Sequence, residues 1–212
     1  MNQKTSLLII GNSNVGKSSI TRLLMPNPRK FKGKIGKTPG STLLIKSINQ
    51  KNLPFNIVDL PGFGYVSQAS RRRAEHIKKQ IIIHIENHYN DYFLALVVIN
   101  VLRIEDELKK YFIQNKRTIP LSFELINFLK EFEIPLLIII NKIDKVSDID
   151  KNKKISFLID TAKDYGLNIT DLNNYKPENE TDVPLLKFSA LKKINVNKLK
   201  QHIQTQLNLF NR

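Results

Sequence analysis

Apolar runs alternate along the chain with stretches that have apolar residues at helical spacing. The runs of strand length are mostly apolar, and those at 92–101 and 135–141 are rich in β-branched residues, typical of parallel strands covered on both faces. They predict six strands at 6–10, 43–48, 55–60, 92–101, 135–141 and 183–189. Helical spacing predicts helices at 17–25, 69–89 and 122–132, after Asp148, and in the C-terminal segment. Together they predict an α/β fold, a mainly parallel six-stranded sheet with helices on both faces.

Size and composition fit one domain over residues 1–212. The chain has 41% hydrophobic residues, enough for a sizeable core. It has no Cys, which excludes disulfides and thiol-based metal sites. The N-terminal apolar run is too short for a signal peptide, and no segment reaches the roughly 18 apolar residues of a membrane helix. We therefore expect a cytoplasmic protein with no membrane partner.

Charge gives the first indication of a partner. With 34 Lys and Arg against 19 Asp and Glu, the net charge is +15 and the pI about 9.9. Such an excess favours a nucleic-acid partner. A Lys-rich solvated surface is the alternative, and charge alone does not separate RNA, DNA and that alternative. The basic loop 26–37 and the arginines Arg71–Arg73 are candidate contacts with phosphate groups.

The first motif lies directly behind the first strand. It fits the pattern G-x-x-x-x-G-K-S between a strand and a helix, which is specific for a phosphate-binding loop. Backbone N–H groups of such a loop point at phosphate oxygens. Lys17 would reach the β- and γ-phosphates, and the Ser18 hydroxyl would ligate Mg²⁺. The predicted nucleotide-binding residues here are Gly11, Asn12, Ser13, Asn14, Val15, Gly16, Lys17 and Ser18.

Two further motifs predict the magnesium and γ-phosphate side of the site. Asp59 ends the third strand, where a carboxylate would help to hold Mg²⁺ through water, and Gly62 would offer its N–H to the γ-phosphate. The set is Asp59, Leu60, Pro61 and Gly62. In "KTPGST", a threonine can close over Mg²⁺ when a γ-phosphate is present, and both Thr38 and Thr42 are available.

The last two motifs predict which base is bound. The Asp144 carboxylate, after the fifth strand, can accept hydrogen bonds from the ring N–H and the amino group of guanine. Adenine would leave that carboxylate unpaired, so the discrimination is strong. Asn141 would hold the loop and the purine N7, and Lys142 would lie over the ring. The residues are Asn141, Lys142, Ile143 and Asp144, followed after the last strand by Phe188, Ser189 and Ala190, whose N–H would meet guanine O6.

The strings "GNSNVGKSS", "KTPGST", "VDLPGFGY" and "FSALKK", in that order, resemble the EngB (YihA/YsxC-like) family of translation-factor-related GTPases. Because Val101 and Leu102 precede Arg103 after "VVIN", the chain looks more like archaeal members. The resemblance implies that Thr42, not Thr38, is the Mg²⁺ threonine, and that Gly40, Ser41, Leu43 and Leu44 also line the nucleotide site. It implies Lys17, Thr42 and Gly62 as catalytic residues and Ser18 and Thr42 as metal ligands.

The resemblance also implies GTP and GDP as substrate and product, Mg²⁺ as cofactor, and a role in assembly of the large ribosomal subunit, with rRNA contact. We expect a monomer that does not bind DNA. A GTPase required for cell division and septation, acting through protein partners, is the alternative. A nucleotide-gated RNA-binding module whose ribosome effect survives loss of hydrolysis is a second one.

Phe63 stands where Ras-like GTPases have a water-orienting Gln, so we expect slow hydrolysis in the isolated protein. A partner, a cation or both would supply the missing electrostatics. Asn14 either accompanies a K⁺ ion beside the phosphates or only caps the loop, and the sequence leaves both interpretations open.

Overall fold

A computed structural model of the protein describes residues 4–30, 45–62, 71–114, 119–176 and 182–212, with backbone only at 30, 71–74 and 110–114. The predictions for residues 40–44, including Thr42, and for Phe63 lie outside the described residues. So do the side chains of Arg71–Arg73 and most of the basic loop.

The described residues form an α/β fold around one sheet. Its strands are β1 (Ser6–Gly11), β2 (Lys46–Ile48), β3 (Asn56–Asp59), β4 (Tyr92–Asn100), β5 (Leu136–Asn141), β6 (Asn168–Asp171) and β7 (Asp182–Lys187). The helices are α1 (Lys17–Leu24), α2 (Arg71–His88), α3 (Ile104–Gln114), α4 (Leu121–Glu131), α5 (Asp148–Lys163) and α6 (Val196–Phe210). The strand order is β2-β3-β1-β4-β5-β7-β6, and among these only β2 runs antiparallel to its neighbour.

The predicted fold class is confirmed, but the number of strands, six, was wrong. The described residues contain seven strands, and the missed one is the edge strand β6. Its sequence is "NITD", and only Ile169 within it is buried. Four residues with a single buried apolar side chain show no alternation of apolar and polar positions, so the sequence does not predict a strand here. The strand forms because these residues pair with β7.

Alternation of side chains along the strands divides the core into two layers. In β1, Leu7 and Ile9 point to one face of the sheet, whereas Leu8 and Ile10 point to the other. The first layer is covered by α1 and α6, and we call this side the α1/α6 face. The second layer is covered by α2, α3, α4 and α5, and we call this side the α2–α5 face.

Helix α3 (Ile104–Gln114) was not among the helices predicted from the sequence. Ile104 and Leu108 are buried one turn apart and attach the helix to the α2–α5 face. Polar residues lie between Ile104 and Leu108, and two apolar residues alone are too few to predict a helix from the sequence. Within the described ranges, no helix is both long and apolar enough to cross a bilayer.

Candidate functional site: a nucleotide-binding site

The predicted motifs lie at the carboxyl ends of neighbouring strands. The phosphate-binding loop follows β1, Asp59 ends β3, Asn141 ends β5, and Phe188 follows β7. Because β1, β3, β5 and β7 run parallel, the four motifs meet at one edge of the sheet. This is where α/β sheets bind ligands.

The phosphate-binding loop closes through Gly16, the residue before α1. Its φ of +105° lies in the region that favours glycine, and an added Cβ would stand 2.2 Å from Asn141 Nδ2. The carbonyl oxygen of Gly16 accepts from the N–H groups of Ser19 and Ile20 at 3.1 and 3.0 Å. The loop therefore turns directly into the helix, so that the helix N-terminus points at the place where phosphates bind.

Lys17 lies under this loop with its ammonium group buried. Its Nζ donates to the carbonyl oxygens of Gly11 and Asn12, both at 2.9 Å. Burial lowers the pKa of Lys17 from 10.5 to about 8, although the Asp59 carboxylate acts in the opposite direction. A buried cation held by two carbonyl groups is well placed to meet phosphate oxygens, whose negative charge would raise the Lys17 pKa again.

Asp59 and Ser18 form the part of the site that suits a divalent cation. The Ser18 hydroxyl donates to Asp59 Oδ2 at 3.4 Å. Burial raises the pKa of Asp59, and Lys17, Lys46 and the Ser18 hydroxyl oppose that rise. Asp59 Oδ1 is buried and accepts no hydrogen bond from the described residues. Carboxylate and hydroxyl oxygens are the ligands that Mg²⁺ prefers, and a metal-bound water would satisfy Oδ1. The residues present therefore fit Mg²⁺.

Gly62 brings the backbone after β3 against the phosphate-binding loop. A Cβ added to Gly62 would lie 2.6 Å from Ser13 Oγ and 2.7 Å from both Cα and N of Ser13. The Ser13 hydroxyl donates to the Gly62 carbonyl oxygen at 3.5 Å. No side chain fits at Gly62 unless the two segments move apart, so the contact couples the D-x-x-G segment to the phosphate-binding loop.

Asn141 and Lys142 join the base-binding side to the phosphate-binding loop. The Asn141 amide donates to the Val15 carbonyl oxygen at 2.8 Å and accepts from the Ala190 N–H at 3.1 Å. Lys142 Nζ donates to the Asn14 carbonyl oxygen at 2.6 Å. Burial, with Arg103 nearby, lowers the pKa of Lys142. Asn141 and Lys142 therefore hold three loops together. The sequence predicted that Asn141 holds its loop, but not that its partners are Val15 and Ala190.

Asp144 is aimed by Ser189. The Ser189 hydroxyl donates to Asp144 Oδ1 at 2.5 Å and accepts from the Lys192 N–H at 3.0 Å. Asp144 Oδ2 is buried, accepts no hydrogen bond from the described residues and lies 3.8 Å from Lys145 Nζ. One oxygen is thus fixed by the protein and the other is left to accept from a ligand. The sequence placed Ser189 in the site without this role.

Glu107 on α3 also belongs to the site, and sequence reasoning missed it. Its Oε2 accepts from the Asn12 side-chain amide at 3.0 Å, and its Oε1 accepts from the Ser122 hydroxyl and N–H at 2.6 and 3.2 Å. One carboxylate thus connects the phosphate-binding loop to the first turn of α4. The only available sequence signal was an acidic residue in a charged segment.

This fold, with its phosphate-binding loop, Asp59-Leu-Pro-Gly62 segment and Asn141-Lys-Ile-Asp144 segment, defines a P-loop GTPase domain. Residues 6–142 match the family model described as 50S ribosome-binding GTPase. The probable GTP-binding protein EngB of Methanococcus aeolicus is 33% identical over 159 residues, which are 75% of this chain and 66% of that protein. The probable EngB of Pyrococcus abyssi is 30% identical over 199 residues, which are 93% of this chain and 83% of that protein.

The same similarity holds for solved structures. The crystal structure of a probable GTP-binding protein EngB matches with a TM-score of 0.72 and 27% identity, over 96% of this chain and 98% of that one. Era, in complex with MgGDPNP and a 16S ribosomal RNA segment, shares the fold with a TM-score of 0.60 and 21% identity, over 97% of this chain and 57% of that one. The chain belongs to the EngB family of GTPases. Its predicted likeness to archaeal members is confirmed.

Proposed function

We propose that this protein is a Mg²⁺-dependent switch that binds GTP and GDP, hydrolyses GTP to GDP and phosphate, and acts in assembly of the large ribosomal subunit. The nucleotide-binding part of this proposal rests on two buried carboxylate oxygens, Asp59 Oδ1 and Asp144 Oδ2. Neither accepts a hydrogen bond from the described residues. A buried carboxylate oxygen that accepts no hydrogen bond is unfavourable, so each calls for a donor from a ligand. A metal-bound water fits the first, and the N–H groups of guanine fit the second.

The residues then have distinct tasks. Lys17 neutralises phosphate charge, and the loop N–H groups orient the phosphates. Ser18 and Thr42 would hold Mg²⁺, with Asp59 behind it, and the ion would neutralise the charge that develops on the phosphates. Asp144, fixed by Ser189, selects guanine.

Hydrolysis itself is expected to be slow without help. The position after Gly62 is Phe63, which cannot orient a water molecule by hydrogen bonding. We expect a ribosomal partner, a K⁺ ion beside Asn14, or both to supply the stabilisation that is lacking. Loss of Thr42 contact in the GDP form would then change the partner-binding surface.

The ribosomal part rests on the family description, 50S ribosome-binding GTPase, together with the charge of +15. A location in the cytoplasm follows from that role.

Co-sedimentation with purified large ribosomal subunits of the same organism tests the ribosomal part. It is run with GDP, with GTP and with a non-hydrolysable GTP analogue, at low and at physiological salt. Binding that needs a triphosphate and persists at physiological salt supports the proposal. Equal binding in all nucleotide states that disappears with salt would reject it and would favour a division-associated role through protein partners. A hydrolysis-defective variant that still binds GTP and retains the ribosome effect would favour the RNA-binding module.

A further inference from the structure

The net charge of the chain is confined to its two ends. Residues 1–58 contain ten Lys and Arg and no Asp or Glu, and residues 183–212 contain six and none. The intervening residues 59–182 carry the other 18 Lys and Arg together with all 19 acidic residues. The whole excess of +15 therefore comes from two stretches that are far apart in sequence.

The fold brings these two stretches to the same side of the sheet. Residues 1–58 include α1, and residues 183–212 include α6, which are the helices of the α1/α6 face. All four helices of the α2–α5 face come from residues 59–182. One face of the sheet is therefore covered by helices without a carboxylate, and the other by helices that carry both signs.

Three exposed cations mark this face. Arg22 lies on the outer side of α1, and Lys200 lies on α6. Lys51 lies in the turn between β2 and β3, next to Gln50, whose side chain exchanges two hydrogen bonds of 3.4 Å with the Asn27 backbone just after α1. The turn and α1 are therefore neighbours, and Lys51 and Arg22 belong to one surface.

Lys200 is on the flank of α6 that is turned toward α1. Lys198, two residues earlier, donates to Asn173 Oδ1 at 2.8 Å, beside the edge strand β6. Two residues are a rotation of about 200° around an α-helix. The Lys200 side chain therefore leaves the helix on the side away from β6, which is the side where β4, β1 and α1 lie.

Among the described residues, no carboxylate forms an ion pair with Arg22, Lys51 or Lys200. Ion pairs in the described part of the chain include those of Lys78, Lys109, Lys145, Lys151, Lys154 and Lys163, all between 59 and 182, and that of Lys187 with Asp171. The exposed side of α6 adds neutral hydrogen-bonding groups, from Asn197, Gln201, Gln204, Thr205 and Asn208.

We propose that the α1/α6 face binds the phosphodiester backbone of RNA, through Arg22, Lys51 and Lys200. Cations without carboxylates, interspersed with amide groups, suit phosphate and ribose oxygens. An anionic membrane surface would need an exposed apolar helix face. The apolar side of α6 (Leu199, Ile203 and Leu207) is buried on the sheet, and its exposed apolar residues, Leu209 and Phe210, are confined to the end of the helix. The proposal rests on the proposed ribosomal function and assigns its RNA contact to one face.

Two triple variants of the full chain test the proposal. The first is Arg22→Gln, Lys51→Gln and Lys200→Gln. The control is Lys79→Gln, Lys153→Gln and Lys163→Gln, which removes the same charge from exposed positions on the α2–α5 face. None of the six belongs to the nucleotide site. The probes are a fluorescent RNA duplex of about 20 base pairs, purified large ribosomal subunits, and vesicles containing anionic lipid, each over a range of salt. GDP affinity is measured in every variant as a check on folding.

We expect the first variant to bind the RNA duplex and the subunits at least tenfold more weakly than wild type, with the control within about twofold. Each lost phosphate contact lowers the slope of log affinity against log salt by about 0.9, so the slope should fall by about 2–3 in the first variant alone. Equal weakening in both variants would overturn the assignment to this face while the ribosomal function stands. Failure of wild type to bind subunits or RNA would overturn both.

Two other outcomes would reassign the partner and overturn the RNA proposal. One is loss of subunit binding with unchanged duplex binding, which would indicate a protein contact. The other is tighter binding to the anionic vesicles than to RNA.

Discussion

Replacing Glu107 by Ala should destabilise the protein and loosen the phosphate-binding loop together. The carboxylate accepts three hydrogen bonds, one from Asn12 and two from Ser122. The residue before α4 is Pro120, whose side chain makes no capping hydrogen bond, so Glu107 takes the place of a cap for this helix. Perturbing one side chain thus affects two elements.

The magnitude follows from these contacts. Loss of a helix cap typically costs about 1 kcal/mol. A hydrogen bond to a charged group contributes roughly 1.5–3 kcal/mol, and the lower end applies because Glu107 is only half-buried. We therefore expect Glu107→Ala to lower the free energy of unfolding by about 2–4 kcal/mol. Asn12→Ala and Glu107→Ala should be coupled by about 1 kcal/mol in a double-mutant cycle, because each removes the partner of the other.

Urea unfolding followed by circular dichroism measures both quantities. Asp106→Ala is the matched control, because Asp106 is the neighbouring acidic residue on α3 and is exposed; it should change stability by less than about 0.5 kcal/mol. GTP and GDP affinities, measured with fluorescent nucleotides, report on the loop. If Glu107→Ala were as stable as the control, or showed no coupling with Asn12→Ala, the carboxylate would not connect the loop to α4.

Four further outcomes are expected. Gly62→Ala should reduce GTP hydrolysis at least tenfold in a phosphate-release assay, because the new Cβ would meet Ser13 at 2.6–2.7 Å. It should reduce GDP affinity by a smaller factor, and equal effects on hydrolysis and on GDP affinity would contradict this prediction. Asn141→Ala should weaken the binding of GDP and of GTP alike, by about 10–100-fold in fluorescent-nucleotide titrations, because the loops lose the same buried hydrogen bonds whichever nucleotide binds. The pKa of Lys17 is about 8 in the folded protein and 10.5 in the unfolded chain, so between these pH values the unfolded chain binds more protons. The free energy of unfolding, measured with urea, should therefore rise with pH across that window. Phosphate release should be faster in K⁺ than in Na⁺ if Asn14 accompanies an ion, and equal rates would reject that role.

Short strings gave most of the candidate site residues, because these strings are local and follow buried strands. Gly11 to Ser18, Asp59 to Gly62 and Asn141 to Asp144 can be read without knowledge of the fold, since each motif is continuous in sequence. The contacts between motifs could not be predicted in this way. Ser189 and Asp144 are 45 residues apart, and Asn12 and Glu107 are 95 apart. No periodicity links such residues, so only the folded chain shows that they meet.

The fold was predictable where apolar residues are dense. Strands β4 and β5 are buried at every position, so both of their faces are covered. Their sequences are accordingly almost continuous runs of apolar residues, which predict such strands. Strand β6 and helix α3 have few apolar residues, and packing against neighbours decides their structure: β6 pairs with β7, and α3 packs beside α5. Local propensity is a weak guide for such segments.

The three hydrogen bonds made by Asn141 and Lys142, two donated and one accepted, have a consequence for how GDP and GTP compete. These hydrogen bonds join protein atoms only, so they order the loops whichever nucleotide binds. Binding of either nucleotide therefore does not bear the conformational-entropy cost of ordering these loops. On the proposed function these loops would bind guanine, which GDP and GTP share. Discrimination between the two nucleotides would then depend on the Asp59 and Gly62 side of the site.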